Sequence, residues 1–180
     1  MSTFKPYPLP RDEDARLKAL ATMAVLNTPP DQSFDIIVDL AAHLFHVPIA
    51  LVSIVGRDHQ IFKARVGLDV CETSRDISFC AHAIVQRDVL VIPDASRDPR
   101  FSANPLVTGA PFIRFYAGAP LIGLHGQPIG TLCILDRVPR AGMSEHEMLT
   151  LRKLARMTIL RMMTRTVIDD NMDKLMPIPA

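Results

Sequence analysis

The sequence predicts an α+β fold in which a central antiparallel sheet is covered on both faces. Three observations carry this. Residues 114–136 (RFYAGAPLIGLHGQPIGTLCILD) hold two apolar runs, 115–122 and 129–135, separated by Gly123-Leu124-His125-Gly126-Gln127-Pro128. Gly and Pro between runs of this kind mark a β-hairpin. Phe115, Ala117, Ala119 and Leu121 share one face; Tyr116, Gly118, Pro120 and Ile122 share the other. Both faces are largely apolar, so the hairpin is expected near the middle of the sheet. Pro120 cannot donate to a ladder and belongs at a bulge or turned from its neighbour. Next, the periodicities run helix, helix, two strands, short helix, strand, irregular loop, two strands, long helix, an α+β order. Last, residues 94–112 (DASRDPRFSANPLVTGAPF) form a long, proline-rich loop. Loops of that length in compact domains commonly cover a ligand or make a contact.

The elements follow in order. Residues 1–11 read as an extended arm, 12–168 as one domain and 169–180 as a tail. Residues 12–25 form a helix with Leu17, Leu20 and Ala24 at helical spacing behind Asp12-Glu13-Asp14, a favourable N-terminus. Asn27-Thr28-Pro29-Pro30 ends it. A second helix covers 31–45, with Phe34, Ile37, Ala41 and Leu44 on its stripe. Pro48 precedes the strand at 49–55; residues 56–59 turn, and 60–66 return as a strand with Ile61, Lys63 and Arg65 alternating against Phe62, Ala64 and Val66. Residues 67–76 read as loop, 77–86 as a short helix and 89–92 as a strand ending at Pro93. After the hairpin and a linker at 137–142, Ser144-x-x-Glu147 forms a capping box for a helix over 145–168. Met148, Leu151, Ala155 and Met162 form its seam, with Leu154, Met157 and Leu160 beside it. It is longer than one sheet needs.

Composition narrows the function classes. The 180 residues are 48% hydrophobic and 22% charged, with net charge +1, an ordinary balance for one soluble domain. A chain this long buries roughly 70% of its unfolded surface, so no disulfide or metal staple is needed. Near-neutral charge argues against nucleic-acid binding through phosphates. The longest apolar run, 47–55, is about half a membrane span, and residues 1–15 lack a secretory core. A cytoplasmic location is expected. Cys71, Cys80 and Cys133 have no CxxC spacing and suit a reducing compartment.

Five segments, PIALVSIV, QIFKARVGLDVCETSRDISFCAHAI, VLVIPDASRDPRFSANPLV, IRFYAGAPLIG and GTLCILDRVPR, closely resemble the GAF domain. The subgroup is the one found ahead of bacterial diguanylate cyclases and histidine kinases, and the resemblance spans roughly residues 12–165. It implies a GAF-like central antiparallel sheet of about six strands, with terminal helices on one face, extending into a dimer interface, and short helices with a long loop over a small-molecule pocket on the other. Ile61 stands where the subgroup carries Trp. The Asn-Lys…Phe…Asp-Glu signature of cyclic-nucleotide-binding GAF domains is absent, which argues against that ligand. No cyclase or kinase motif follows before Ala180, so a separate output protein, cyclase or kinase, is the expected partner beside a second copy of this chain.

The implied pocket is walled by 77–84, 94–101 and the strand start at Arg114. Three groups are candidates to converge there: Cys80 with His82; Asp94 with Arg97 and Asp98; Arg114 with Tyr116. Arg114 offers a planar fork to an anionic ligand, and Phe79, Phe101, Phe112 or Phe115 offer apolar walls. Equally, Asp94, Arg97, Asp98, Arg100 and Arg114 could tie the loop to the sheet, because buried loop backbone demands partners. Cys80 and His82 at i, i+2 do not face each other on a helix, and tetrapyrrole-binding GAF domains place His directly after the Cys. The bland reading is a buried thiol and a core histidine; the pair lacks two further metal ligands. No metal, catalytic residue or cofactor is assigned. His43 and His46 at a helix end complement the dipole. Five of the nine Met residues fall between 148 and 172 and suit an interface. The expected function is a sensory module that binds a small molecule and signals through dimerising terminal helices. The alternatives are a thiol reductase of the free methionine sulfoxide type, using Cys80 with Cys71 as resolving partner, and a ligand-free scaffold.

Overall fold

The computed structural model describes residues 7–23 and 31–175, with side chains through residue 164. Its elements are α1 (Glu13–Thr22), α2 (Gln32–Phe45), β1 (Ile49–Val55), β2 (His59–Val66), β3 (Glu72–Ser74), α3 (Phe79–Ala83), β4 (Leu90–Ile92), α4 (Pro105–Thr108), β5 (Phe115–Ile122), β6 (Pro128–Asp136) and α5 (Glu145–Leu175). One six-stranded antiparallel sheet has the order β3-β2-β1-β6-β5-β4. The hairpin β5–β6 lies inside it, as the two-sided apolar pattern requires. Pro120 sits beyond Gly118, the first residue of β5 that β4 reaches, and just ahead of the register shift at Leu121/Ile122. No ladder bond is lost to its missing N–H on the β4 side.

Strand alternation sorts the core into two compartments. Ala50, Val52 and Ile54 of β1, Leu132 and Ile134 of β6, and Phe115, Ala117, Ala119 and Leu121 of β5 pack under α2 and α5. Ile49, Leu51 and Val55, Cys133 and Leu135, and Tyr116 point the other way, to α3 and the 94–113 segment. All seven residues of β1 are buried.

Local chemistry explains the helix limits. Asp12 caps α1, its carboxylate accepting from the Ala15 N–H at 2.9 Å; Asp31 caps α2 through Ser33. Ser144 and Glu147 form the capping box of α5: the Ser144 N–H donates to Glu147 Oε2 at 2.7 Å and the Glu147 N–H to Ser144 Oγ. α2 ends in a left-handed His46, whose exposed carbonyls are met by Arg140 at Phe45 O (2.9 Å) and His46 O (2.6 Å).

Several expectations need correction. The buried stripe of α2 is Phe34, Ile37, Val38, Ala41 and Phe45, while Leu44 is 47% exposed. Phe45 completes three turns after Phe34, and Leu44 falls off that face. Met157 and Leu160 are exposed rather than beside the seam, where Ile159 takes the buried place. Residues 67–76 are not all loop: β3 pairs with β2, and a 3-10 turn follows at Arg75–Ile77. The short helix covers only Phe79–Ala83, and α4 interrupts the long loop, capped by Asn104. α5 continues to Leu175, past the expected end at 168. Ala24, Val25 and the 27–30 helix stop lie outside the described residues.

α1 is fastened by two buried guanidiniums. Arg16 donates to Val55 O (2.6 Å), Gly56 O (3.3 Å) and both Glu13 oxygens (2.8 Å). Arg75 donates to the same carboxylate and to Gly56 O (2.9 Å), with Tyr7 stacked on its face at 4.5 Å. Burial alone would raise the Glu13 carboxyl; hydrogen bonds from Arg16 and then Arg75 outweigh it and hold the group at about 2. A carboxylate depressed in the folded state contributes stability that is present above its unfolded value and lost as pH falls through the folded one. Glu13→Gln is therefore expected to cost about 1–3 kcal/mol at pH 7, allowing for solvent screening. It should also flatten the decline in urea midpoint between pH 5 and pH 2 that the parent shows. An unchanged acid slope would mean the triad does not hold α1.

Candidate functional site

A cavity of about 510 Å³ lies on the sheet face opposite α2 and α5, within the range of small-molecule sites. Its floor is the cavity-facing set of the central strands: Leu51 of β1, Gln60 and Phe62 of β2, Tyr116 of β5, Cys133 and Leu135 of β6. Phe79 and Cys80 of α3 close one side; residues 67–70, Leu106 and the 110–113 segment close the others. The mouth lies where Val70 and Phe112, each half exposed, stand with Asp69 and Arg137. Phe112 holds a left-handed backbone (φ 60°), uncommon for an aromatic residue. Apolar walls predominate, and the polar groups are few.

Those few are mostly engaged with each other. The Gln60 carbonyl oxygen accepts from Ser78 Oγ (2.6 Å) and Ser53 Oγ (3.1 Å), and its amide donates to Thr73 Oγ1 (2.7 Å). Tyr116 is fully buried and lies along its own strand over Gly118. A Cβ on Gly118 would come 2.1 Å from the Tyr116 hydroxyl. The bare glycine thus lets the ring lie flat and aims the hydroxyl at Cys80, O···S 3.6 Å. Burial pushes the Tyr116 hydroxyl well above its ordinary value, so it stays a donor.

Of the residues expected to converge, Phe79, Cys80 and Tyr116 line the cavity. Their aromatic rings meet at 5.2 Å, and Phe79 stacks on Phe101 at 4.2 Å. Phe101 is one layer behind, with His82 edge-on to it at 4.7 Å. Burial, then the charge of Arg100, lowers His82 to about 4, so it is neutral at pH 7. His82, Asp94, Arg97, Asp98, Phe101 and Arg114 do not line the cavity, which corrects the expected 94–101 wall. Asp94 accepts from the Ser96 N–H and Oγ; Asp98 accepts from the Arg100 backbone and guanidinium. Arg97 is 88% exposed and reaches Asp94 at 3.5 Å. Arg114 donates to Val107 O (2.9 Å) and Ile113 O (3.0 Å), tying the loop to the sheet. These are the turn chemistry of short polar side chains. Phe115 faces the helices. Among the described residues no group of three or more His, Cys, Asp or Glu could hold a metal. No helix among them is long and apolar enough to cross a membrane.

Phe112, expected as an apolar wall, also lines the cavity; the residues missed were Leu51, Gln60, Phe62, Thr73, Cys133, Leu135, Arg137 and the 67–70 rim. Those of β1, β2 and β6 carried a usable signal, since each alternates with a helix-facing neighbour. Gly118→Ala is expected to destabilise the protein by about 1–3 kcal/mol through overpacking against Tyr116. Urea denaturation checks it; an unchanged midpoint would mean the ring moves freely.

With that geometry in hand, comparison with known proteins is informative. The GAF domain family profile matches residues 29–161. A cyclic di-GMP phosphodiesterase of Pseudomonas aeruginosa is 42% identical over 157 residues, 87% of this chain but only 27% of that protein. The structure is similar to free methionine-R-sulfoxide reductase from Neisseria meningitidis (TM-score 0.61, 16% identity, 94% of this chain and 99% of that one). It is also similar to the GAF domain of an Acinetobacter phosphoenolpyruvate-protein phosphotransferase (0.60, 17%, 87% and 98%). A third is the GAF domain of a putative sensor histidine kinase from Pseudomonas syringae (0.57, 15%, 89% and 95%). At those identities the likeness shows the fold. The family match covers most of the chain, and its residues 29–161 hold the six-stranded sheet and the cavity: this chain belongs to the GAF domain family.

Proposed function

We propose that this GAF domain is a regulatory module of a signal-transduction protein that binds a small, predominantly apolar and uncharged molecule in the cavity. The observation that carries the reading is the hollow itself: about 510 Å³ between an apolar strand floor and the α3, 67–70 and 106–113 walls. The Gln60 network is internally satisfied, so a highly charged ligand would find few free partners deep inside. The expected convergence of Arg114, Asp94 and Asp98 on a ligand is not part of this proposal, because their side chains are used in the loop. Phe79, Cys80 and Tyr116 remain its contact residues.

The output route is the helical layer. α5 has 31 residues, roughly 46 Å at 1.5 Å per residue, against roughly 30 Å for the nine residues of β6. α2 presents Ile36, Leu40 and Leu44 at i, i+4, i+8 to solvent, and α5 presents Met157 and Leu160. Such stripes suit a second copy of this chain. A ligand shifts that association only as far as it binds the two arrangements differently. The resemblance to the cyclic di-GMP phosphodiesterase supports an output in cyclic-dinucleotide turnover, carried by a region this chain does not span.

The reductase reading rests on the Neisseria neighbour and on thiols in the cavity. It requires Cys71 to resolve Cys80, yet Cys71 is exposed whereas Cys80 is buried facing Cys133. The geometry favours sensing.

Native mass spectrometry of freshly purified protein is expected to give a dimer carrying a retained small molecule; ligand-free spectra at every preparation would remove the sensing reading. Sedimentation of a Met157→Glu, Leu160→Glu variant should show half the parent mass. A monomeric parent would remove the dimer route.

A further inference from the structure

Two thiols meet at the cavity floor. Cys80 Sγ, on α3, lies 3.8 Å from Cys133 Sγ, on central strand β6, and both side chains are buried and unbridged. The Tyr116 hydroxyl donates toward Cys80 from 3.6 Å. Thr131, on the same face of β6 as Cys133, has a buried hydroxyl with no hydrogen-bond partner in the structure. Both residues border the cavity; Cys80 is 3% exposed and Cys133 0%, so Cys80 is the thiol nearer to a small solute entering it. A hydrogen bond from Cys133, opposed by burial, lowers the Cys80 thiol from its ordinary value, while burial pushes Cys133 up. One sulfur is thus disposed to act as thiolate and the other to keep its proton.

We propose that Cys80 and Cys133 are a reactive pair that a small hydroperoxide, entering through the cavity, converts into a disulfide bridging α3 and β6. The Cys80 thiolate attacks one peroxide oxygen. An S–O bond forms and the O–O bond breaks; the leaving oxygen takes a proton and departs as water or alcohol. Cys80 is then a sulfenic acid, oxidised by two electrons as the peroxide is reduced by two. The Cys133 sulfur next attacks the Cys80 sulfur, an S–S bond forms, the S–O bond breaks, and water leaves with the thiol proton. Overall two thiols and one hydroperoxide give one disulfide, one water and one further water or alcohol. The Tyr116 hydroxyl is placed to donate to the departing oxygen. The sulfurs must close from 3.8 Å to about 2.05 Å, which draws α3, a five-residue helix, toward the sheet. The reaction uses the cavity as the oxidant's route and does not require a ligand there; a molecule seated against Cys80 would slow it.

The test uses the full, reduced chain mixed with equimolar hydrogen peroxide, then intact mass and non-reducing peptide mapping. The expected result is a loss of about 2 Da, reversed by dithiothreitol, with the peptides holding Cys80 and Cys133 linked. Despite the exposure of Cys71, that linkage should exceed Cys71-containing products by about tenfold. Cys71→Ser should behave as the parent. Cys133→Ser should accumulate a dimedone adduct on Cys80. If that variant does not fold, the parent's peptide map alone decides. An unchanged mass, modification confined to Cys71, or a Cys71–Cys80 link would each overturn the proposal. Ligand retention measured on the same preparation separates this outcome from the sensing reading.

Discussion

Everything in this domain depends on the two-residue period of three central strands. Because β1, β5 and β6 are apolar on both faces, each alternate residue enters a different compartment. Ala50, Val52, Leu132 and Ile134 meet helices; Leu51, Cys133, Leu135 and Tyr116 meet α3 and irregular chain. Regular helices close-pack against a sheet and leave little space. A five-residue helix and loops pinned by their own turns cannot follow the sheet closely, and a hollow is left. The asymmetry between the faces is what leaves room for the cavity.

The ends of the chain are held by charge rather than by area alone. Glu13 is shared by Arg16 and Arg75, which also satisfy the carbonyls of Val55, Gly56 and Arg57 at the turn between β1 and β2. Arg140 joins Asp136 at the end of β6 to the last carbonyls of α2. Buried ions of this kind contribute little over apolar packing but are costly to break singly. They fix α1 and α2 relative to the strands whose opposite faces line the cavity.

Much of this was legible from residues alone. The hairpin, its central position, β1 at Ile49–Val55 and the Ser144/Glu147 box follow from periodicity and capping chemistry. Of the hollow's lining, Phe79, Cys80, Phe112 and Tyr116 were legible; the 94–101 wall was misplaced and most of the floor went unread. Asp94, Asp98 and Arg114 have the residue types of an anion site, but their partners are two to seven residues away, and sequence spacing cannot distinguish a ligand contact from a local turn. The rim at 67–70 carries few chemically distinctive side chains, so only tertiary contacts reveal it. Cys133 faces Cys80 across 53 positions of sequence, a pairing that spacing alone does not reveal.

The central claim, an apolar hollow on one face of the sheet behind which Val52, Leu132 and Ile134 are close-packed under the helices, is open to a direct measurement. Methyl NMR under xenon pressure reports which side chains border space that an apolar atom can enter. The account predicts shifts at Leu51, Leu106, Ile113 and Leu135, with Val52, Leu132 and Ile134 unmoved. Shifts at neither set, or shifts confined to the helix-facing methyls, would contradict it.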